Sequence, residues 1–333
     1  MVGFARWQRL WFIGTTGDAV MTGRSRLADR LRGLEALRRS ADSEEAHSRL
    51  AEALAERSNQ LVAAAARMAA ELALEALEPD LAQAFSYFMV KPLQRDPSCT
   101  AKTATAKALV SWQAPQHDLY LEGIDHIQME PVYGGREDTA GPLRAQCALG
   151  LARSHYDGVL VRLADLLADP VLDARLGAVQ AIAEAGVPGV VPLLRYKTRL
   201  GDEDARVQLA CFEGLLALAP EDSVSLVTQF LDHKQMAVAE AAALALGQSR
   251  QARALEPLMA AWQSGGDPAL RRTVLMSLAM LRHEQGLAFL LDLLADGEAH
   301  EAHDALEALA LFRHDEAIWS RVERVSRERN DLA

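Results

Sequence analysis

Residues 174–186 read ARLGAVQAIAEAG, and the pattern returns as VQLACFEGLLALA from Val207, VAEAAALALGQSR from Val238 and LRRTVLMSLAMLR from Leu270. Weaker copies are EAHDALEALALFR from Glu301, LRAQCALGLARSH from Leu143 and AKTATAKALVSW from Ala101, with a degenerate copy from Val62. The ninth position is apolar throughout: Leu109, Leu151, Ile182, Leu215, Leu246, Leu278 and Leu309. Successive separations are 42, 31, 33, 31, 32 and 31 residues, so five of six steps share one period. That regularity marks a structural repeat. The eighth position is always small: Ala108, Gly150, Ala181, Gly214, Ala245, Ser277 and Ala308. A small residue is required where a neighbouring backbone comes close, because overpacking costs about 1–3 kcal/mol.

A second amphipathic segment precedes each clear copy: Val159–Leu167, Val190–Tyr196, Ser223–Leu231, Leu255–Trp262 and Gly286–Leu294. Breakers separate the copies, among them Asp169-Pro170, Gly201-Asp202, Ala219-Pro220 and Gly265-Gly266-Asp267-Pro268. The unit is therefore helix–turn–helix, stacked on its neighbours. It resembles the HEAT repeat in its short bacterial form, known also from phycobilisome-lyase-like repeat proteins. The resemblance covers about residues 41–320 as about eight units. It implies an all-α, right-handed solenoid with the second helix of each unit on the concave side.

Composition agrees with helices packed through small residues. Hydrophobic residues make up 50% of the 333, aromatic residues only 5%, and no 18-residue uncharged apolar run predicts a membrane span. The net charge of -11 is uneven: residues 1–40 carry +5 and the remainder -16. An acidic body repels a phosphate backbone, so no nucleic-acid partner is expected. Three scattered cysteines, Cys99, Cys147 and Cys211, suggest a reducing, cytoplasmic setting. Residues 1–40 are expected to be a leader and first helix, partly flexible, ahead of a solenoid over 41–333. Within that leader Phe4, Trp7, Trp11 and Phe12 sit among Arg6 and Arg9. They read either as an interfacial anchor or as an untidy leader ahead of an alternative start at Met21, and the second reading is preferred.

The 42-residue step marks an insertion. Residues 117–129 predict a helix ended by Pro131, and Val132–Gly141 a long loop containing Gly134-Gly135. Around that loop gather His126, Gln128, Glu130, Tyr133, Arg136 and Asp138, and long loops are where a solenoid places recognition. The competing reading is a loop held by its own hydrogen bonds, with Asp138 or Thr139 capping the next helix. A smaller excursion, Lys91–Ser98, precedes the helix of Lys102 and Lys107, and the two excursions are expected to share a surface.

The second slot is basic at Lys102, Arg144, Arg175 and Arg271. The resemblance implies a ladder tying successive repeats, in preference to a basic stripe. Asp96, Asp138, Asp169, Asp173 and Asp267, shortly upstream, are candidate partners or helix caps. HEAT-like hydroxylases with a di-iron centre carry His-Glu pairs at the third and fourth slots. Here only His303-Asp304 supplies a ligand pair at those slots, so no metal is expected. Cys147 and Cys211 fall in a small core slot, and Cys99 precedes a helix N-terminus, where a thiolate is favoured.

No catalytic residue and no cofactor is expected. The reading that follows is a non-catalytic scaffold or adaptor for a protein or peptide partner. The alternative is a phycobilisome-lyase-like enzyme or cofactor chaperone handling a tetrapyrrole or other small ligand, with His126, Tyr133, Arg136 and Cys99 lining its pocket.

Overall fold

The computed structural model describes residues 16–38 and 43–329. Phe4, Trp7, Trp11 and Phe12, with Arg6 and Arg9, lie outside the described residues. Two compact units emerge, one holding residues up to Glu122 with His126–Leu143, the other Gly123–Asp125 with the chain from Arg144 onward.

The first unit contains α1 (Thr16–Leu37), α2 (Ser43–Leu54), α3 (Asn59–Glu71), α4 (Glu78–Met89), the single turn α5 (Pro92–Arg95) and α6 (Thr100–Ser111). Helix α7 (His117–Ile124) follows, then strands β1 (Met129–Val132) and β2 (Gly135–Asp138). Helix α3 packs on α6, with α1, α2 and α4 around them. Their alanines let leucine and phenylalanine fill the space between axes: Leu61, Leu81, Phe85, Phe88 and Leu109 are all buried. Tyr120 is equally buried, and its hydroxyl donates to the Ala114 carbonyl at 3.1 Å. A buried phenol needs such a partner.

Helix α8 (Gly141–Arg153) leads into the second unit. First helices α9 (Val159–Leu166), α11 (Val190–Leu200), α13 (Pro220–Thr228), α15 (Leu255–Gln263) and α17 (Glu284–Asp296) alternate with second helices α10 (Leu172–Glu184), α12 (Ala205–Leu218), α14 (Met236–Gln248), α16 (Pro268–Leu281) and α18 (Ala299–Leu309). Each first helix packs on its own second helix, and the second helices pack in sequence, α10 on α12, then α14, α16 and α18. This nearest-neighbour stacking is an all-α solenoid. Helix α19 (Glu316–Glu328) packs on α17 and leaves Arg321, Arg324 and Glu328 exposed.

The repeat register read from sequence is the register of the core. All seven ninth-slot residues have 0% exposure. The tightest approaches fall at two glycines. A Cβ on Gly247 would meet the Ser277 carbonyl oxygen at 2.5 Å, and one on Gly177 would meet the Ala145 Cα at 2.5 Å. Helix starts follow local chemistry: Asp204 accepts from the Arg206 amide at 2.9 Å, and Asp267 from the Ala269 amide at 2.8 Å.

The basic second slot forms a ladder, but its arginines point forward. Arg144 makes two 2.8 Å bonds to Asp169, and Arg175 two 3.0 Å bonds to Asp202, while Arg271 reaches Glu301 at 2.7 Å. These carboxylates sit at the start of the following repeat. Lys102 faces an upstream aspartate, Asp96, at 3.8 Å, and Arg175 also donates to the upstream Asp169 carbonyl at 2.9 Å. Where the slot holds Gln208, Lys197 instead reaches Asp202 at 2.8 Å.

The insertion also differs from expectation. Helix α7 stops at Ile124, and the expected loop is a two-stranded antiparallel hairpin. Met129 faces Asp138 and Val132 faces Gly135, with Gly134 turning the tip at φ 90°. Glycine takes this left-handed conformation without steric cost. Pro131 is tolerated because β1 belongs to a sheet of two edge strands.

Candidate functional site

The hairpin is anchored at its base and bare at its tip. Asp96 is the hub, with no exposed surface. Its carboxylate accepts from the amides of Ala101 at 2.8 Å and Lys102 at 3.0 Å, at the start of α6, and from the Asn59 side chain at 3.2 Å. Its carbonyl accepts from Gln128 Nε2 at 2.9 Å, and Gln128 Oε1 accepts from Lys102 Nζ at 2.6 Å. Glu130 then gathers Ser98 N at 2.6 Å, Gln128 Nε2 at 2.5 Å and the Thr139 hydroxyl at 2.9 Å. Asp138 accepts from the amides of Gln128 and Ala140 at 2.9 and 3.0 Å, clamping the two strands. The excursion Lys91–Ser98 and the hairpin are thus stitched together through Asp96, Ser98, Gln128 and Glu130.

Electrostatics follow from this packing. Burial pulls Lys102 below the ordinary lysine value, against the pull of Cys99, Asp96 and Glu130. Burial pushes Glu130 up, but hydrogen bonds from Gln128, Ser98 and Thr139 with the Lys102 charge outweigh it and hold the carboxyl low. Burial pushes the Cys99 thiol up to about 11. Cys99 therefore stays a thiol at neutral pH, contrary to the thiolate expected at a helix start.

The candidate residues divide accordingly. Lys102 and Gln128 are buried and hold the hairpin rather than offering a surface. His126 is half-buried, its Nε2 3.2 Å from Gln128 Oε1. Asp138 and Glu130 are structural clamps. Lys107 is exposed on α6 and shares no hydrogen bond with this cluster among the described residues. Tyr133 and Arg136 are exposed at the tip and on β2, with Arg136 donating to the Met129 carbonyl at 2.8 Å. Cys99 is fully buried while Tyr133 is fully exposed, so they do not line one pocket.

The sequence reading missed the apolar content of this surface. Val90, Leu93, Ile127, Met129, Val132 and Tyr133 are all exposed. They are six of the twelve exposed large hydrophobic residues among the described residues, concentrated within 90–133. The apolar residues Ile127, Met129 and Val132 within the insertion were the available signal.

The histidines of the last repeats have local partners. His283 caps α17 by accepting from the Gln285 amide, and His300 and His303 lie beside Glu298 and Glu307 at 3.4 and 3.5 Å. Among the described residues no group of three or more His, Cys, Asp or Glu side chains is arranged to hold a metal ion, and no helix is long and apolar enough to cross a membrane.

Comparison with known proteins agrees with the repeat. The family model for HEAT repeats matches residues 196–267 and again 237–310, so these helix pairs are HEAT repeats. A chain in the structure of the complex of CpcE and CpcF of phycocyanin lyase from Nostoc sp. PCC7120 is similar at 21% identity, over 72% of this chain and 90% of that one, with a TM-score of 0.35. No curated protein matches the chain.

Proposed function

We propose that this chain is a non-catalytic scaffold that binds a protein partner through the hairpin and the neighbouring Lys91–Ser98 segment. The observation that carries the reading is the contrast between base and tip. Polar residues at the base are consumed in mutual hydrogen bonds, whereas Tyr133 and Val132 at the tip are exposed to water, as are Met129 and Ile127 on the strand side that leads to it. Exposed apolar clusters of this kind on an ordered support mark interaction sites. An aromatic side chain with an adjacent arginine is a common interface anchor. The acidic body favours a protein over a nucleic acid. The three free, buried cysteines support a reducing compartment, which we take to be the cytoplasm.

The test is affinity capture from extract of the cells that make the protein, comparing wild type with a Tyr133→Ala, Arg136→Ala variant of unchanged helical content. A defined partner retained by wild type and lost by the variant is expected. Equal retention by both would place recognition elsewhere and overturn the assignment of the hairpin.

A further inference from the structure

The thirteenth position of the repeat pattern, just beyond the last turn of the second helix, is Arg250, Arg282 and Arg313 in three consecutive copies. Arg250 and Arg282 both take left-handed backbone, at φ 53° and 54°. Gln113 and His155 end their helices in the same way, so the conformation is the repeat's own helix stop. What distinguishes the later repeats is the charge placed there. Because α14 packs on α16 and α16 on α18, equivalent positions in these copies are neighbours.

Arg250 and Arg282 line one cleft of about 250 Å³ together with Gln248, Met280, Leu311 and Phe312. Leu311 is 48% exposed there, an apolar side chain open to water. Arg282 lies over the Phe312 ring at 5.2 Å. Neither guanidinium has a carboxylate partner among the described residues, whereas Arg144, Arg175 and Arg271 in the ladder all do. A second cleft shares Gln248 and carries Glu213, half-buried and also without an ion-pair partner among the described residues. Glu213 in the neighbouring cleft repels a chain that carries a phosphate at every step, whereas a peptide can place its few carboxylates at the arginines alone, so the pair of clefts fits a peptide better than a nucleic acid.

We infer that the cleft of Arg250, Arg282 and Leu311 docks an extended peptide from a protein partner, seating an apolar side chain on Leu311 and presenting an adjacent carboxylate to the two guanidiniums. Arginine is suited to this because its fork matches a carboxylate in two hydrogen bonds. The site lies in the second unit and is independent of the hairpin.

The experiment is fluorescence anisotropy at low salt with the full chain and two labelled peptides, Gly-Glu-Leu-Asp-Phe-Gly and its Gln/Asn counterpart. Two exposed guanidiniums acting on two carboxylates at low salt should make the acidic peptide bind at least about three-fold tighter than the amide. Arg250→Glu with Arg282→Glu should remove that difference, and Arg250→Gln with Arg282→Gln serves if the reversal does not fold. Leu311→Asp should weaken both peptides. Arg321→Glu with Arg324→Glu makes the same charge change on the exposed face of α19 and should alter binding by less than about two-fold. Equal binding of the two peptides overturns the inference, as does an equal effect of the α19 pair, which would mean general electrostatics. Displacement by an oligonucleotide that binds more tightly than the acidic peptide would assign the cleft to nucleic acid instead.

Discussion

Single residues decide how closely the repeats approach. Gly247 and Gly177 face backbone atoms of the preceding or following second helix, which cannot rotate aside. Gly214 differs, since a Cβ there would meet the flexible end of Leu194 at 3.1 Å and the Ala183 Cβ at an ordinary 3.6 Å. Gly247→Ala should therefore cost about 1–3 kcal/mol, and Gly214→Ala clearly less, in paired urea or thermal unfolding curves. Asp96 and Lys102 make a second residue-scale comparison. Asp96→Ala removes three hydrogen bonds and leaves a buried ammonium without its carboxylate, so a loss of about 3 kcal/mol or more is expected. Lys102→Met leaves Asp96 with its amide donors from Ala101, position 102 and Asn59, and should cost only about 1–2 kcal/mol. The reverse order in measured unfolding free energies would show that the lysine is the hub. The ninth-slot register was legible in the sequence because burial there depends on spacing alone. That Lys102 is buried was not, since a basic residue at the second slot of a helix reads equally as surface or ladder.

Elements are joined by charge as well as by apolar packing. Asp202 sits between Arg175 and Lys197, and although burial raises its carboxyl value, hydrogen bonds from Lys197, the Asp204 amide and Arg175 hold it low. The Arg206 side chain and amide hold Asp204 at about 2, and the Arg271 side chain lowers Glu301. Folded carboxyls below their unfolded values contribute stability that is present above the unfolded pKa of about 4 and is lost as pH falls toward the folded value. The thermal midpoint should accordingly be level from pH 7 to about 5 and fall between about 5 and 2. Asp202→Asn should make that fall shallower at the expense of stability at pH 7, and an unchanged slope would remove the ladder from the acid response. The direction of the ladder was hidden in the sequence, since Asp169, Asp202 and Glu301 stand 25 to 30 residues beyond their arginines. The hairpin was hidden for a different reason. Its strands are four residues each, one carries Pro131, and neither offers the alternation that betrays a longer strand.

At the scale of the molecule, repeated helix pairs supply the frame and one non-repeating insertion supplies the distinctive surface. The frame was largely readable beforehand, because a solenoid writes its core into the sequence once per repeat. The insertion was located by the single irregular step of 42 residues, and its polar residues were recognised, but most of them proved to be fasteners. Gln128, Glu130 and Asp138 hold the base, and Tyr133 with its apolar neighbours is what remains exposed, the surface we propose for a partner.

The claim that this tip is a recognition element is tested most directly by placing photoreactive benzoylphenylalanine at Tyr133, and separately at the exposed Tyr196, in the cells that make the protein. Irradiation should give a discrete protein adduct from position 133 that is absent from position 196. No adduct at 133, or the same adducts from both positions, would contradict the account.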